Sequence, residues 1–216
     1  MWRSPDIVVQ AGEFVALFSP DPSDAQLVMG MVSGLLEPTG GVVRIGGRSV
    51  EGLSRLASAI AGEGAAACLQ ISHAGSRTSS RVLGMRPLAP SAVRHPYEPE
   101  GDTPEPIDRA MIPDVVAAFG DAAARARAAG FHAVEVHAAH GFLLSQFLSP
   151  LTNQRRDAYG GDAAGRATLA AQVVRACRQA TGPGFAILCR LNAEENIAGG
   201  QTVAESAAVA RLLAQA

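Results

Sequence analysis

Residues 128–166 of the chain read AAGFHAVEVHAAHGFLLSQFLSPLTNQRRDAYGGDAAGR, and this stretch decides the fold. Its first residues end an alanine-rich helix predicted over 111–129. The short apolar run 131–136 predicts a buried strand, and a further helix is predicted over 163–180. A strand between two helices is the repeating unit of an α/β protein.

The same alternation extends to both sides of this stretch. Strands are predicted over 66–71 and 185–191, and the proline-rich segment 72–110 is predicted to be a loop. Strands separated by helices are parallel with right-handed crossovers, which gives the class α/β. Periodicity alone leaves an open doubly wound sheet and a barrel both possible. The predicted helix caps and stops are Asp108, Gly130, Gly182 and a capping box of Thr202 with Glu205.

The composition excludes several functions. All 18 basic residues are arginine, so the chain has no lysine for a Schiff base or for gripping phosphate in a P-loop. The net charge is −2 and the sequence pI is near 6.2, with no concentrated basic surface for nucleic acid. Alanine accounts for 41 of the 216 residues, which predicts a core of small, closely packed side chains.

The cysteines and the N-terminus predict a cytoplasmic location. Three cysteines without a CxxC pair argue against a disulfide framework and against a zinc ribbon. Asp6 and Glu13 interrupt the region where a signal peptide needs apolar residues, and no window reaches the roughly 18 apolar residues of a membrane span. We therefore expect a globular chain that inserts into no membrane.

Polar side chains end three consecutive predicted strands. Gln70 and His73 end the first, His137 and His140 the second, and Arg190 the third. Parallel α/β folds build their sites at the carboxyl ends of the strands, so this rim is the candidate active site. The alternative is that Gln70 and Arg190 are only hydrogen-bonded polar residues at strand ends.

The two histidines, His137 and His140, also allow a second interpretation as metal ligands. Two imidazoles do not complete the tetrahedral coordination of a metal ion. No third ligand residue lies at a sequence spacing typical of a metal site. An anion or a carbonyl oxygen held between the two rings is the better fit. We expect no metal.

With LQISHAG at 69–75, APSA at 89–92 and CRLN at 189–192, the opening stretch closely resembles the Old Yellow Enzyme family of FMN-dependent NAD(P)H:flavin oxidoreductases. The resemblance covers roughly 56–216. It implies a (β/α)8 barrel with FMN at the carboxyl rim. Only the third, fourth and fifth strands are recognisable, so we expect an incomplete barrel of about three to four βα units.

The resemblance assigns roles to four residues and departs at a fifth. Gln70 resembles the glutamine that binds the flavin pyrimidine, and Arg190 the arginine near flavin N1 and O2. His137 and His140 resemble the pair that grips the carbonyl oxygen of a small α,β-unsaturated substrate. The implied reaction reduces FMN with NAD(P)H and then delivers hydride to the substrate β-carbon. Phe142 stands where the family has a proton-donating tyrosine.

Smaller departures occur elsewhere. Ser76 displaces the arginine of the family's HAG-Arg motif to Arg77, and Ala164 and Gly165 replace a glutamate and an asparagine after YGG. A polar loop motif is expected to brace the chain rather than take part in catalysis. It comprises Asn153, Arg155, Asp157, Tyr159, Gly160 and Gly161.

The first 55 residues are expected to form a separate segment before the domain at 56–216. Strands are predicted over 13–18 and 42–45, with a helix over 25–36 between them. Residues 7–54 resemble the start of an ABC-transporter ATPase in degenerate form. The glycines and the lysine of its phosphate loop are missing, which disfavours a nucleotide hydrolase.

Two hypotheses for the function follow. The first is FMN-dependent reduction of the activated C=C bond of α,β-unsaturated carbonyl compounds. The alternative is a non-catalytic truncated or fused remnant that cannot hold FMN, since the matching part is shorter than the roughly 250 residues of a complete barrel. Open sheet edges also predict self-association.

Overall fold

The computed structural model describes residues 43–45, 48–50, 52–96 and 98–216, with side chains from residue 53 onward. The strand predicted over 13–18 and the helix predicted over 25–36 lie outside the described residues. The strand predicted over 42–45 is observed as β1, Val43–Ile45, which pairs antiparallel with β2, Arg48–Val50.

The remaining elements alternate as the sequence predicts. In chain order they are α1 (Gly52–Gly62), β3 (Cys68–Ile71), α2 (Ser80–Leu83), β4 (Leu88–Ala89), β5 (Glu105–Pro106), α3 (Ile112–Ala128), β6 (Ala133–Ala138), α4 (Leu143–Leu148), α5 (Ala163–Thr181), β7 (Ala186–Leu191) and α6 (Val203–Ala214). Three parallel strands form a sheet in the order β3-β6-β7, so the α/β class is confirmed. The described residues fall into two compact units, one of residues up to Leu69 with Ala126–Ala133, the other of Gln70–Arg125 with Val134–Ala216.

The predicted helix ends are found where the capping chemistry puts them. Asp108 accepts a hydrogen bond from the Ala110 N–H and opens a short 3-10 turn that leads into α3. Gly130, after α3, adopts φ 91°, a left-handed conformation in which glycine is favoured. Thr202 and Glu205 form the reciprocal capping box of α6.

The prediction that residues 72–110 form only a loop is wrong at α2, β4 and β5. The two short strands are parallel, and their ladder uses the N–H groups of Glu105 and Ile107. Pro106 lies between these donors and lacks an N–H, so a two-residue pairing tolerates it. Prolines therefore limit the length of this pairing without preventing it.

Strand β6 begins and ends two residues later than the apolar run 131–136 predicts. The His132 imidazole accepts a hydrogen bond from the Ala67 N–H at 3.0 Å and thus replaces a backbone partner before the strand begins. The strand continues through His137 and Ala138, which are both buried. A polar residue that is buried at a strand end is not visible from hydropathy.

The core of the second unit depends on close helix packing. A Cβ atom built on Gly120 of α3 would lie only 3.4 Å from the Ala176 carbonyl oxygen of α5. The Cys177 thiol contacts the Phe119 carbonyl oxygen at 3.6 Å in the same interface. Small side chains therefore allow close packing of α3 against α5, as the alanine-rich composition predicts.

Within the described part of the chain, the outer strands of the three-stranded sheet carry exposed side chains on one face. On the outer strands, Gln70 of β3 is exposed, as are Leu188 and Arg190 of β7. The neighbouring residues in β3, Leu69 and Ile71, are buried, so the exposed residues alternate with core residues. Both β3 and β7 lie at edges of this described sheet.

Arg166 of α5 connects α4, α6 and the loop before α5. Its buried guanidinium donates to the carbonyl oxygens of Leu148 at 2.7 Å and Gly161 at 2.6 Å, and it pairs with Glu205 of α6 at 2.5 Å. The bond to Leu148 satisfies the carbonyl group of a buried residue at the end of α4.

We expect Arg166→Met to lower the free energy of unfolding by about 3 kcal/mol, since the buried guanidinium loses two hydrogen bonds to carbonyl oxygens and its ion pair with the partly exposed Glu205. Urea denaturation followed by circular dichroism measures this change. The exposed arginine of the same helix provides the control, and Arg175→Met should change stability by less than about 0.5 kcal/mol. Equal effects of the two substitutions would contradict the assignment.

Candidate active site

The three strands of the sheet bring Gln70, Glu135 and Arg190 into direct contact. The Gln70 amide donates to Glu135 Oε1 at 2.5 Å. Arg190 donates to the same carboxylate from Nε at 2.8 Å and from Nη2 at 3.2 Å. Two predicted site residues on the outer strands therefore meet at a carboxylate of the central strand.

Sequence reasoning missed Glu135, although a signal was present. It precedes His137 by two residues in β6, so both side chains lie on the same face of the strand. The hydrogen bond from Arg190 holds the pKa of Glu135 below its ordinary value, while burial opposes this shift. The same contact raises the pKa of Arg190, so the pair is ionised at neutral pH.

The two histidines lie close together at the end of β6. The ring centroids of His137 and His140 are 5.1 Å apart, and the rings are nearly perpendicular at 80°. Burial, followed by the neighbouring His140, lowers the pKa of His137, which is therefore neutral at pH 7. Its Nδ1 accepts from the Ala139 N–H at 3.4 Å, so the proton of the neutral ring is on Nε2.

The turn after these histidines has an unusual backbone conformation. His140 has φ 58° and is the only non-glycine residue with positive φ in the described part of the chain. Its N–H donates to Asn192 Oδ1 at 3.0 Å, and Asn192 Nδ2 donates to Ser145 Oγ at 3.3 Å. Asn192, which the sequence analysis did not single out, thus stabilises a strained conformation at the candidate site. A cleft of about 270 Å³ opens beside His140 and is also lined by Arg77 and Asn192.

A further histidine packs against the same turn. A Cβ on Gly141 would clash with His95 Nε2, and Gly141 also has φ 73°, so glycine is required here. His95 is buried, and burial together with the nearby Arg77 lowers the pKa of His95 to about 4. The neutral imidazole of His95 therefore packs against the turn at Gly141 without adding charge.

Two other residues near the turn have structural contacts. The Phe142 ring centroid lies 4.7 Å from that of His137, so the phenylalanine packs on the histidine and offers no proton. His73 Nδ1 accepts from the Gly75 N–H at 3.0 Å, and the His73 carbonyl oxygen accepts from the Leu143 N–H. His73 therefore braces the start of α4.

The polar loop motif after α4 is engaged by its own chain. Arg155 forms two hydrogen bonds with Asp157 and donates to the carbonyl oxygens of Pro90 and Ile107. Asn153 Nδ2 donates to the carbonyl oxygens of Phe147 and Tyr159. These contacts agree with a bracing function, and the shallow depression of about 400 Å³ beside Arg155 contains none of the strand-end residues.

Neither a metal centre nor a membrane-spanning helix is present in the part of the chain that the structure describes. Within residues 53–96 and 98–216, no group of three or more His, Cys, Asp or Glu side chains is arranged to hold a metal ion. None of the helices in the described part of the chain is long and apolar enough to cross a membrane.

Comparison with known proteins extends these observations. The model of the NADH:flavin oxidoreductase / NADH oxidase family matches residues 46–216. The chain is 42% identical to a metal reductase of Desulforamulus reducens over 159 residues, covering 74% of this chain and 24% of the reductase. It is 40% identical to an NADPH dehydrogenase of Listeria monocytogenes over 152 residues, covering 70% of this chain and 43% of the dehydrogenase.

A solved structure gives the same result. The Old Yellow Enzyme homologue from Zymomonas mobilis is 28% identical and has a TM-score of 0.66, over 74% of this chain and 48% of that protein. This likeness confirms that the parallel strands and helices form part of a (β/α)8 barrel. The chain thus spans about a quarter to a half of the length of these relatives.

These comparisons give no support to the expected resemblance between residues 7–54 and an ABC-transporter ATPase, and the family match begins inside that segment, at residue 46. The match instead covers the entire three-stranded sheet and its helices. The chain belongs to the NADH:flavin oxidoreductase / NADH oxidase family, the family of the Old Yellow Enzymes.

Proposed function

We propose that this chain carries the flavin-pyrimidine contacts and the carbonyl-binding pair of an enzyme that reduces the activated C=C bond of α,β-unsaturated carbonyl compounds with NAD(P)H. The observation that supports this most is the convergence of Gln70 and Arg190 on Glu135, two residues from His137 on the same strand face. Three separate strands thus contribute polar groups to one open surface.

The donor set fits FMN chemically. Arg190 offers a cation and Gln70 an amide, which suits the hydrogen-bonding edge of the flavin pyrimidine. When bound, FMN would supply the hydride chemistry between NAD(P)H and the alkene. The contribution of the protein at this edge is to hold the ring and to stabilise negative charge near N1 and O2.

The histidine pair would act on the substrate. The Nε2–H of His137 and the imidazole of His140 donate hydrogen bonds to the carbonyl oxygen, whose negative charge grows as hydride reaches the β-carbon. Asn192 and Ser145 hold the turn, so the donors are in place before the substrate binds. Because Phe142 has no acidic proton, the α-carbon proton comes from solvent or another donor.

The proposal also covers the kind of substrate and the cellular location. A small molecule is the expected substrate, and no nucleic-acid or membrane partner is proposed. None of the described cysteines Cys68, Cys177 and Cys189 forms a disulfide, which suits a reducing cytoplasm.

A non-catalytic chain that cannot hold FMN is the second candidate. It is favoured by the exposed apolar side chain of Leu188 on β7, which is 44% exposed. Stoichiometric FMN binding would exclude this candidate, and absorbance of the purified protein between 350 and 500 nm measures such binding.

We expect Arg190→Ala to weaken FMN binding more than Gln70→Ala does. A charge-assisted contact contributes about 1.5–3 kcal/mol and a neutral one about 1 kcal/mol, which correspond to roughly 10- to 150-fold and about fivefold in Kd. Flavin fluorescence titration measures both, with Arg175→Ala on an exposed helix face as the control. Identical affinity in the wild type and both site variants would refute the assignment.

A para-substituted phenol is expected to bind as the phenolate between His137 and His140 and to give a long-wavelength charge-transfer band with bound FMN. The band should disappear in the His137→Ala, His140→Ala double variant. Asn192→Ala should weaken phenol binding about tenfold, since the hydrogen bond that holds the His140 turn is lost.

Gln179→Ala is the control for this titration, since Gln179 is an exposed amide residue of α5 that does not line the cleft beside His140. It should leave the phenol affinity unchanged. Persistence of the band in the double variant would show that the histidine pair is not the anion site.

The isolated 216-residue chain is expected to self-associate and to be marginally stable, because β3 and β7 leave unpaired edges in the described sheet. It should not reduce cyclohexenone with NAD(P)H, even with added FMN. Appending the later barrel strands of a longer relative should raise both solubility and flavin retention. A monomer with a sharp cooperative unfolding transition and measurable turnover would contradict this expectation.

A further inference from the structure

Glu135 occupies the centre of the surface on which the proposed function depends. It lies on the middle strand, and its side chain is only 18% exposed, whereas Arg190 on the neighbouring strand is 50% exposed. Its carboxylate binds one residue from each flanking strand. Removal of this one group would therefore release both proposed flavin contacts.

The chemistry of a carboxylate fixes the orientation of the Gln70 amide. An ionised carboxylate accepts hydrogen bonds and has none to donate, so only the amide nitrogen of Gln70 can face it. The Gln70 carbonyl oxygen, which accepts nothing from the described residues, is then directed away as an acceptor. With a neutral partner in place of Glu135, either orientation of the amide would be allowed.

The same carboxylate changes what Arg190 offers. Nε and Nη2 of the guanidinium are used by Glu135, which leaves Nη1 without a partner among the described residues. The positive charge of Arg190 is also largely balanced by a negative charge at 2.8 Å. Arg190 can therefore still donate a hydrogen bond, but Glu135 weakens the positive electrostatic potential around it.

Resting on the proposed function, we propose that Glu135 is a positioning residue that makes Gln70 an acceptor and Arg190 a charge-moderated donor toward the flavin pyrimidine. Gln70 would accept a hydrogen bond from the flavin N3–H, and Arg190 would donate to the flavin N1 and O2 atoms. Glu135 touches neither flavin nor substrate in this proposal and acts through its two neighbours.

An electrostatic consequence distinguishes this role from simple bracing. Reduced FMN carries negative charge near N1, and the carboxylate of Glu135 offsets part of the stabilisation that Arg190 gives to that charge. Neutralising Glu135 should therefore favour reduced over oxidised FMN. Shortening the side chain while keeping the charge should have a much smaller effect on this preference.

The test compares Glu135→Gln with the wild type in titrations of oxidised FMN and of dithionite-reduced FMN under anaerobic conditions. The ratio of Kd for oxidised FMN to Kd for reduced FMN should rise about tenfold, which for a two-electron couple equals an upward shift of about 30 mV in midpoint potential. Glu105→Gln, at an exposed glutamate of β5, is the control and should not change the ratio. An unchanged ratio in Glu135→Gln would overturn the charge-moderating role.

A second measurement needs no flavin and separates failure of this proposal from failure of the proposed function. In isotope-labelled chain without FMN, the side-chain N–H signals of Gln70 and Arg190 should shift together in Glu135→Gln and Glu135→Asp, but not in Glu105→Gln. If the wild type binds no FMN while these signals shift, the proposed function fails and the positioning by Glu135 stands. If the two signals do not move, the positioning role is wrong whatever the flavin affinity.

Discussion

The side-chain alternation of β6 is the constraint on which the rest of the structure depends. Val134 and Val136 on one face are fully buried, and this burial fixes the register of the strand between β3 and β7. Glu135 and His137 must then lie on the opposite face, because successive residues of a strand point to opposite sides. A shift of one residue would exchange the two sets, so the hydrophobic core and the candidate site depend on the same register.

The second constraint is the left-handed backbone at His140. A non-glycine residue in this conformation costs free energy, which the surrounding contacts must supply. The turn receives a side-chain acceptor from Asn192, while His95 packs against the adjacent Gly141. Because these supports come from two separate loops, the orientation of His140 depends on the tertiary structure rather than on the HAAH sequence alone.

Much of the fold was predictable because its signals are local. Asp108, Gly130 and the capping box at Thr202 mark helix ends through contacts within a few residues. The β4–β5 ladder was missed because it joins Leu88 to Glu105 across a proline-rich loop. Sequence analysis placed Gln70, Arg190 and the histidines on one rim, but not the groups that position them. Glu135 and Asn192 lie inside stretches that carry the resemblance but received no role there, and His95 lies outside those stretches. Their partners are brought to them only by the folded chain.

The two halves of the proposed site depend differently on protein outside the described sheet. The histidine turn is braced by Asn192, Ser145 and His95, so its donors are held by contacts inside one compact unit. In the half proposed to face the flavin, Glu135 is the described residue that supports Gln70 and Arg190, and Arg190 is half exposed on an edge strand. Water competes with hydrogen bonds on such an open surface and weakens charge interactions there. Preorganisation of the proposed carbonyl-binding pair therefore does not require a complete barrel, whereas effective charge stabilisation at the proposed flavin edge requires a covering layer that excludes water.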